Sequence, residues 1–315
     1  MTTVLHHVPG VHDVGVAALA LGVFDGVHLG HQALIRDTVA HARQRGVASC
    51  VLTFDRDPDQ VVTPASAAPQ LCTLDDKLGL ISALEPDAIL VVPFDASTAA
   101  LSPEEFLARV VLDACQPILC VVGHDFRFGR QATGDVSALR RFGIDHDFSV
   151  IAHDLVQAEG APITSSRIRA LVAAGEVAAA ARLLGRPHRL RGTVVHGRAL
   201  GHALGTPTAN LDIDARFALP APGVYAAWAT VGGARHKAAV SVGIPPTFPD
   251  ATCRLEAILV DFDGDLYGAE VTVEFVERLR EQRAFDDLQE LADTIRADAA
   301  RAAEILGGHE PGPVL

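Results

Sequence analysis

The sequence predicts two folded units of different class: an α/β unit built on a parallel sheet, followed by an antiparallel β-barrel or sandwich closed by a terminal helix. Three observations predict it. The chain has 315 residues, and domains of roughly 100–150 residues put two cores ahead of one. From residue 14 to about 184, short apolar runs alternate with stretches whose apolar residues recur at helical spacing, the rhythm of a parallel sheet covered by helices. After the break Leu184-Gly185-Arg186-Pro187 that rhythm gives way to six closely spaced apolar runs with no helix between them, the pattern of an antiparallel sheet folded on itself. The expected division is 1–186 and 187–315.

In the first part, residues 14–23, 48–54, 88–92, 118–123 and 148–152 are expected as strands, and 31–45, 74–84, 103–112 and 136–142 as helices. Ligands of such sheets bind beyond the carboxyl ends of the strands, so the loops after strands are the candidate sites. In the second part, 189–195, 209–213, 224–231, 237–242, 255–262 and 270–276 are expected as strands, separated by turn signals such as Gly232-Gly233 and Asp263-Gly264. An amphipathic helix over 286–306 closes the chain, and 307–315 is expected to fray.

Composition narrows the function classes. With 26 Lys+Arg against 39 Asp+Glu the chain carries a net charge of −13, and 49% of its residues are hydrophobic, which excludes disorder as its main state. An acidic surface repels extended nucleic acid, so any phosphate it binds must be gripped locally. The uncharged apolar stretch over 14–24 is shorter than the ~20 residues a membrane span needs, and the first residues lack the basic region of a secretory signal. Cys50, Cys72, Cys115, Cys120 and Cys253 form no Cys-x-x-Cys pair, so they are expected reduced, in a cytoplasmic protein. Nothing in the sequence fixes an oligomeric state.

The segment Gly22-Val23-Phe24-Asp25-Gly26-Val27-His28-Leu29-Gly30-His31 follows the first strand and opens the first helix. Gly26 and Gly30 let backbone amides approach a ligand, and the helix N-terminus offers unpaired N–H groups. His28 and His31, three apart, share one helical face. Such a group suits the phosphates of a nucleotide and can stabilise charge developing during in-line displacement. The competing reading is a capped helix with two surface histidines. Further on, Thr164, Ser165, Ser166 and Arg167 open another helix, either as ordinary caps or as a second phosphate grip.

The first segment resembles the H-x-G-H signature of the nucleotidyltransferase superfamily, and the longer string Gly-x-Phe-Asp-Gly-Val-His-x-Gly-His-Gln resembles the bacterial bifunctional riboflavin kinase/FAD synthetases. The resemblance implies a Rossmann-like nucleotidyltransferase unit followed by a riboflavin kinase barrel. It further implies nucleotide-binding roles for Gly22, Phe24, Asp25, Gly26 and Gly30, and phosphate-stabilising roles for His28 and His31. Ile163-Thr164-Ser165-Ser166-Arg167-Ile168-Arg169 is similar to the family's Ile-Ser-Ser-Thr-x-Ile-Arg motif, an ATP clamp. Gly123-His124-Asp125-Phe126-Arg127-Phe128-Gly129 resembles a segment whose polar residue, here Asp125, lies on the flavin side; by composition alone, Phe126 and Phe128 could equally pack in the core. One departure is that Arg56-Asp57-Pro58 stands where the family has Pro-His-Pro, and an ionised Asp57 donates no hydrogen bond and repels phosphate. A tolerant surface loop is the alternative explanation.

In the second part, a glycine-bearing loop with Gly197, Gly201 and Gly205 leads into Pro207-Thr208-Ala209-Asn210. Thr208 and Asn210, two apart and so on one strand face, are neutral oxygen donors suited to Mg²⁺ that also carries ATP phosphates. The string resembles the riboflavin kinase signature Gly-x-Pro-Thr-Ala-Asn. Glu256 lies in an otherwise apolar strand, as a partnered core acid or a functional one, and the resemblance makes it the base for the riboflavin 5′-hydroxyl. Arg280 matches a flavin-site Leu-Arg segment and could otherwise be a solvated cation. Thr206 replaces a Phe of the signature, and Pro245 replaces Asn in Val-Ser-x-Gly-x-Asn-Pro-Thr-Phe. The implied activity is phosphorylation of riboflavin to FMN and adenylylation of FMN to FAD, with ATP as co-substrate and Mg²⁺ as cofactor. The partners are then small molecules only, with no nucleic acid and no membrane. The rival readings are a paralogue of altered flavin scope or impaired adenylyl transfer, a cytidylyltransferase for another phosphorylated alcohol, and a flavin-binding protein without turnover.

Overall fold

The computed structural model describes residues 2–8, 14–196, 208–244, 247 and 255–308. Its packing separates two compact units that meet in sequence between Thr164 and Ser165.

The first unit is a six-stranded parallel sheet of β1 (Thr3–His6), β2 (Val14–Leu21), β3 (Ala48–Phe54), β4 (Ala88–Val92), β5 (Cys115–Gly123) and β6 (Ser149–His153). Their spatial order is β1-β4-β3-β2-β5-β6. The chain builds outward from β2 through β3 to β4, then crosses to β5 on the other side. Leu19 of β2 therefore pairs with Cys50 of β3 and with Cys120 of β5. That reversal is a topological switch point, which makes the crevice beyond the carboxyl end of β2 the candidate ligand site. The edge strand β1 escapes the periodicity because its four residues, Thr-Val-Leu-His, are mostly exposed.

Alternation along β2 builds a core on each face. Ala17, Leu19 and Leu21 pack with Phe106, Leu107, Val110 and Leu139, while Ala18 and Ala20 pack with Leu34, Ile35, Leu80 and Ile81. The covering helices are α1 (Leu29–Arg45), α2 (Asp59–Val62), α3 (Leu74–Ser82), α4 (Ala96–Ala100), α5 (Pro103–Phe106), α6 (Leu112–Ala114) and α7 (Val136–Asp145). α1 ends where Gly46 takes φ 65°, donating its N–H to Ala42 and Arg43 carbonyls, a left-handed stop that favours glycine. The helix expected over 103–112 is α5 and α6 joined by a wider, π-type turn over Leu107–Val111.

A short antiparallel pair, β7 (Gln157–Ala158) and β8 (Ala161–Pro162), ends the first unit. The second unit opens with α8 (Ser165–Ala173) and α9 (Val177–Leu184), which Gly185 terminates at φ 74°. α9 buries Val177, Ala180, Leu183 and Leu184 on one face and leaves Arg182 exposed on the other. Six antiparallel strands then close a barrel: β9 (His188–Val195), β10 (Ala209–Asp212), β11 (Gly223–Val231), β12 (Ala234–Val242), β13 (Leu255–Leu259) and β14 (Glu270–Arg280), in the order β10-β13-β12-β11-β14-β9. Closure removes every free edge. Inward residues Leu190, Leu211, Tyr225, Val240, Leu255 and Phe275 fill the interior. The helix α10 (Leu288–Gly307) lays Ala302 and Leu306 over Ala226, Trp228 and Ala239 on the outer face. No helix among the described residues is long and apolar enough to cross a membrane. Cys50, Cys72, Cys115 and Cys120 are buried and form no disulfide among the described residues; Cys253 lies outside the described residues.

Candidate active sites

Beyond β2 the backbone turns sharply. Phe24, Gly26 and Val27 all have positive φ, at 56°, 74° and 39°, and two of the three are not glycine, a strain of order 1–3 kcal/mol each that persists only where packing enforces it. Both side chains are buried. The Asp25 carboxylate is buried as well and accepts the Leu71 N–H at 2.9 Å and 3.2 Å, while Gly26 N–H donates to Cys72 Sγ at 3.3 Å. Asp25 thus faces into the protein and anchors the loop.

His28 caps α1, its Nδ1 accepting the His31 N–H at 3.3 Å, so that Nε2 carries the proton of the neutral ring. The two imidazoles stack with centroids 3.6 Å apart, and Phe24 sets its edge on His31 at 5.2 Å. Burial, then the neighbouring His28 and Lys77, hold His31 well below the usual histidine range. It is therefore neutral at pH 7, a ring that can donate a hydrogen bond without carrying charge. Its Nδ1 is buried with no partner among the described residues, which points to a ligand. Gly30 is needed here, since a Cβ would come within 3.1 Å of the His28 ring and 3.7 Å of the Ile163 carbonyl. The same contact brings the chain entering Thr164 beside the histidines. Ser165, Ser166 and Arg167 form the first turn of α8, which the packing assigns to the second unit.

Asp125 is exposed just past the carboxyl end of β5, the strand across the switch from β2, in a turn where Phe126 N–H donates to the Gly123 carbonyl at 3.0 Å. Phe126 and Phe128 stack on each other, and Phe128 reaches Phe106 in the core. After β3, Arg56 is exposed and pairs with Asp55 at 2.9 Å. Asp57, in contrast, is buried at 7% exposure, so it is no drifting surface residue. It faces Lys77 of α3, itself only 4% exposed. The ammonium of Lys77 donates to the Val23 carbonyl at 3.2 Å and to the Phe54 carbonyl at 2.8 Å. Sequence reasoning passed over this lysine. The signal was present: Leu74, Lys77, Leu78 and Ile81 recur at helical spacing, which puts a cation on the apolar stripe of α3.

In the second unit, pairing registers bring distant residues together. Asn210 of β10 stands directly opposite Glu256 of β13, which stands opposite Ser241 of β12. Their neighbours Ala209, Leu211, Ala257, Val240 and Val242 fill the barrel interior, so this polar row lies on the outer face. Asn210 is 6% exposed, and Thr208, half-buried, precedes it by two residues. Burial raises the Glu256 carboxyl above its ordinary value, toward what a general base near neutral pH requires. Gln282 Nε2 donates to Ser241 Oγ at 3.0 Å at the end of the row. Arg280, opposite Val224, is engaged by both oxygens of Asp298 on α10, at 2.7–3.1 Å. Gly197, Gly201 and Gly205, and the departures at Thr206 and Pro245, lie outside the described residues. A neutral pair of oxygen donors beside a carboxylate fits Mg²⁺ that keeps waters and shares ATP phosphates. No cluster of three or more His, Cys, Asp or Glu suited to a metal occurs among the described residues.

A histidine-bearing loop at a switch point and a carboxylate opposed to an amide on a closed barrel define a two-unit transferase, one unit of nucleotidyltransferase type and one of phosphotransferase type. Comparison with known proteins agrees. The family model described as FAD synthetase matches residues 12–167, and that described as riboflavin kinase matches residues 184–306. Curated relatives named bifunctional riboflavin kinase/FMN adenylyltransferase include one from Pseudomonas fluorescens, 36% identical with 95% of each chain covered. Another, from Escherichia coli K12, is 32% identical with 96% of this chain and 98% of that one covered. The chain belongs to the bifunctional riboflavin kinase/FMN adenylyltransferase family. A solved structure titled a macrolide-efflux protein from Streptococcus pneumoniae superposes with a TM-score of 0.82 at 29% identity, covering 96% of this chain and 99% of that one. The likeness is one of fold across both units.

Proposed function

We propose that this protein phosphorylates riboflavin to FMN with ATP in its barrel half, residues 187–315, and adenylylates FMN to FAD with a second ATP in its sheet half, residues 1–186. The observation that carries the kinase half is the direct opposition of Asn210 and Glu256 on the outer face of the barrel. Glu256 takes the proton of the riboflavin 5′-hydroxyl as that oxygen attacks the γ-phosphorus, and ADP leaves. Thr208 and Asn210 would hold Mg²⁺, which would supply neutralisation of phosphate charge; Gly197, Gly201 and Gly205 let the backbone approach the nucleotide. Arg280 lies on the flavin side.

In the sheet half an oxygen of the FMN phosphate attacks the α-phosphorus of ATP and pyrophosphate departs. His28 and His31 donate hydrogen bonds to the phosphoryl oxygens as charge builds. The loop backbone at Gly22, Phe24, Asp25, Gly26 and Gly30 receives the nucleotide, Thr164, Ser165, Ser166 and Arg167 grip its outer phosphates, and Asp125 meets the flavin. The buried partnership of Asp57 with Lys77 favours retained adenylyl transfer over an impaired half, because the carboxylate is compensated inside the protein. Riboflavin, FMN and ATP are small molecules, and we place the protein's work in the cytoplasm, without nucleic acid or membrane.

The test is a time course with riboflavin, ATP and Mg²⁺, separating flavins by chromatography. FMN followed by FAD is expected; bound flavin without turnover sinks the proposal. Glu256→Ala is expected to abolish FMN formation and spare FMN-to-FAD conversion, and His31→Ala to do the reverse.

A further inference from the structure

We propose that Lys77 is a positioning residue for adenylyl transfer: its ammonium sets the spacing between the loop that carries His28 and His31 and the loop after β3. The inference rests on the adenylylating role proposed for the sheet half, and adds a residue that no motif of the sequence singled out.

The Lys77 ammonium is turned into the protein. One N–H goes to the Val23 carbonyl in the loop after β2, another to the Phe54 carbonyl at the last residue of β3. A lysine carries three donors and no acceptor, and burying it is tolerated only where such oxygens and opposite charge surround it. Here the charges are Asp25, Asp55 and Asp57, with the Cys72 thiol beside them. Burial pushes the ammonium down, and those groups oppose the shift.

The tether belongs to a larger clamp. The segment from Leu71 to Lys77 holds the histidine loop at three successive points: Leu71 N–H on Asp25, Cys72 Sγ on Gly26 N–H, and Lys77 on the Val23 carbonyl. Thr53 Oγ1 donates to that same carbonyl at 3.0 Å from β3. A loop with three positive-φ residues in four positions has little intrinsic reason to keep one shape. The clamp supplies it, and the imidazoles at the loop's end inherit their position from it. A displacement of about 1 Å between reacting groups costs on the order of 100-fold in rate.

The experiment compares Lys77→Met, Thr53→Val and the double variant with the unmodified protein, measuring FMN adenylylation and riboflavin phosphorylation on the same samples. Lys77→Met is expected to lower kcat of adenylylation by ~10- to 100-fold while KM for ATP and FMN moves little and the kinase rate is retained. Thr53→Val is expected to lower it several-fold, and the double variant by less than the product, because both side chains act through one carbonyl. A folded Lys77→Met protein with unchanged kcat, or a loss confined to KM, overturns the inference. If Lys77→Met does not fold, Thr53→Val decides alone, and an unchanged kcat there overturns it. Absence of adenylylation in the unmodified protein refutes the functional reading instead.

Discussion

His188, the first residue of β9, should make the barrel unit sensitive to mild acid. It is 1% exposed, stacks on Phe275, and donates from Nε2 to the Ala218 carbonyl at 2.8 Å. Burial lowers its pKa from 6.5 to about 4, with the hydrogen bond to Ala218 opposing and Arg186 assisting. The unfolded chain therefore takes up a proton near pH 6.5 that the folded chain refuses until about pH 4. Between those values the unfolded state binds more protons, so stability falls as pH falls through that window. At 1.36 kcal/mol per pKa unit the full loss is about 3 kcal/mol, of which about 2 kcal/mol falls between pH 7 and pH 5. Trp228, the one tryptophan in the sequence, lies in the barrel unit and reports its urea unfolding by fluorescence. The midpoint should drop by about 1 M between pH 7 and pH 5. In His188→Asn, which keeps a donor and titrates no imidazole, that extra drop should vanish. Glu256 titrates in both proteins and cancels in the comparison. Equal pH dependence of the two proteins would refute the assignment.

The Glu256 carboxyl is raised by burial, so the stability linked to it is present when it is protonated and lost as pH rises through its folded pKa; Glu256→Gln should abolish riboflavin phosphorylation yet raise the barrel's melting temperature at pH 7.5, read by Trp228 fluorescence. Arg280→Leu removes the fork on Asp298 and leaves that carboxylate poorly solvated, at a cost of about 1–3 kcal/mol. Its expected readouts are a lower melting temperature and a red shift of Trp228 emission as α10 loosens, and a raised riboflavin KM at saturating ATP would mark the flavin contact as well.

Much of the fold is legible because it is local. The strands expected over 48–54 and 88–92 coincide with β3 and β4, and the apolar stripe of the last helix survives as Ala302 and Leu306 against the barrel. The glycine and histidine spacing after β2 also marks that loop as a candidate site, because Gly30 leaves room for the His28 ring and His28 caps the helix that His31 joins. What escapes is whatever depends on an unseen partner. β1 has too little buried surface to alter periodicity.

The same division runs through the sites. The sequence by itself determined two units and singled out His28 and His31 after β2, and Thr208, Asn210 and Glu256, as separate candidates, since spacing within one element is a local property. Only the tertiary structure decided that Asn210 and Glu256 stand opposite each other, that Asp25 and Asp57 face inward, that Arg280 is held by Asp298, and that a lysine on the apolar side of α3 ties two loops together. Those facts follow from strand register and burial, which depend on pairing between segments far apart in the chain, and a carboxylate or an ammonium carries no mark of which way it will face until those segments have met.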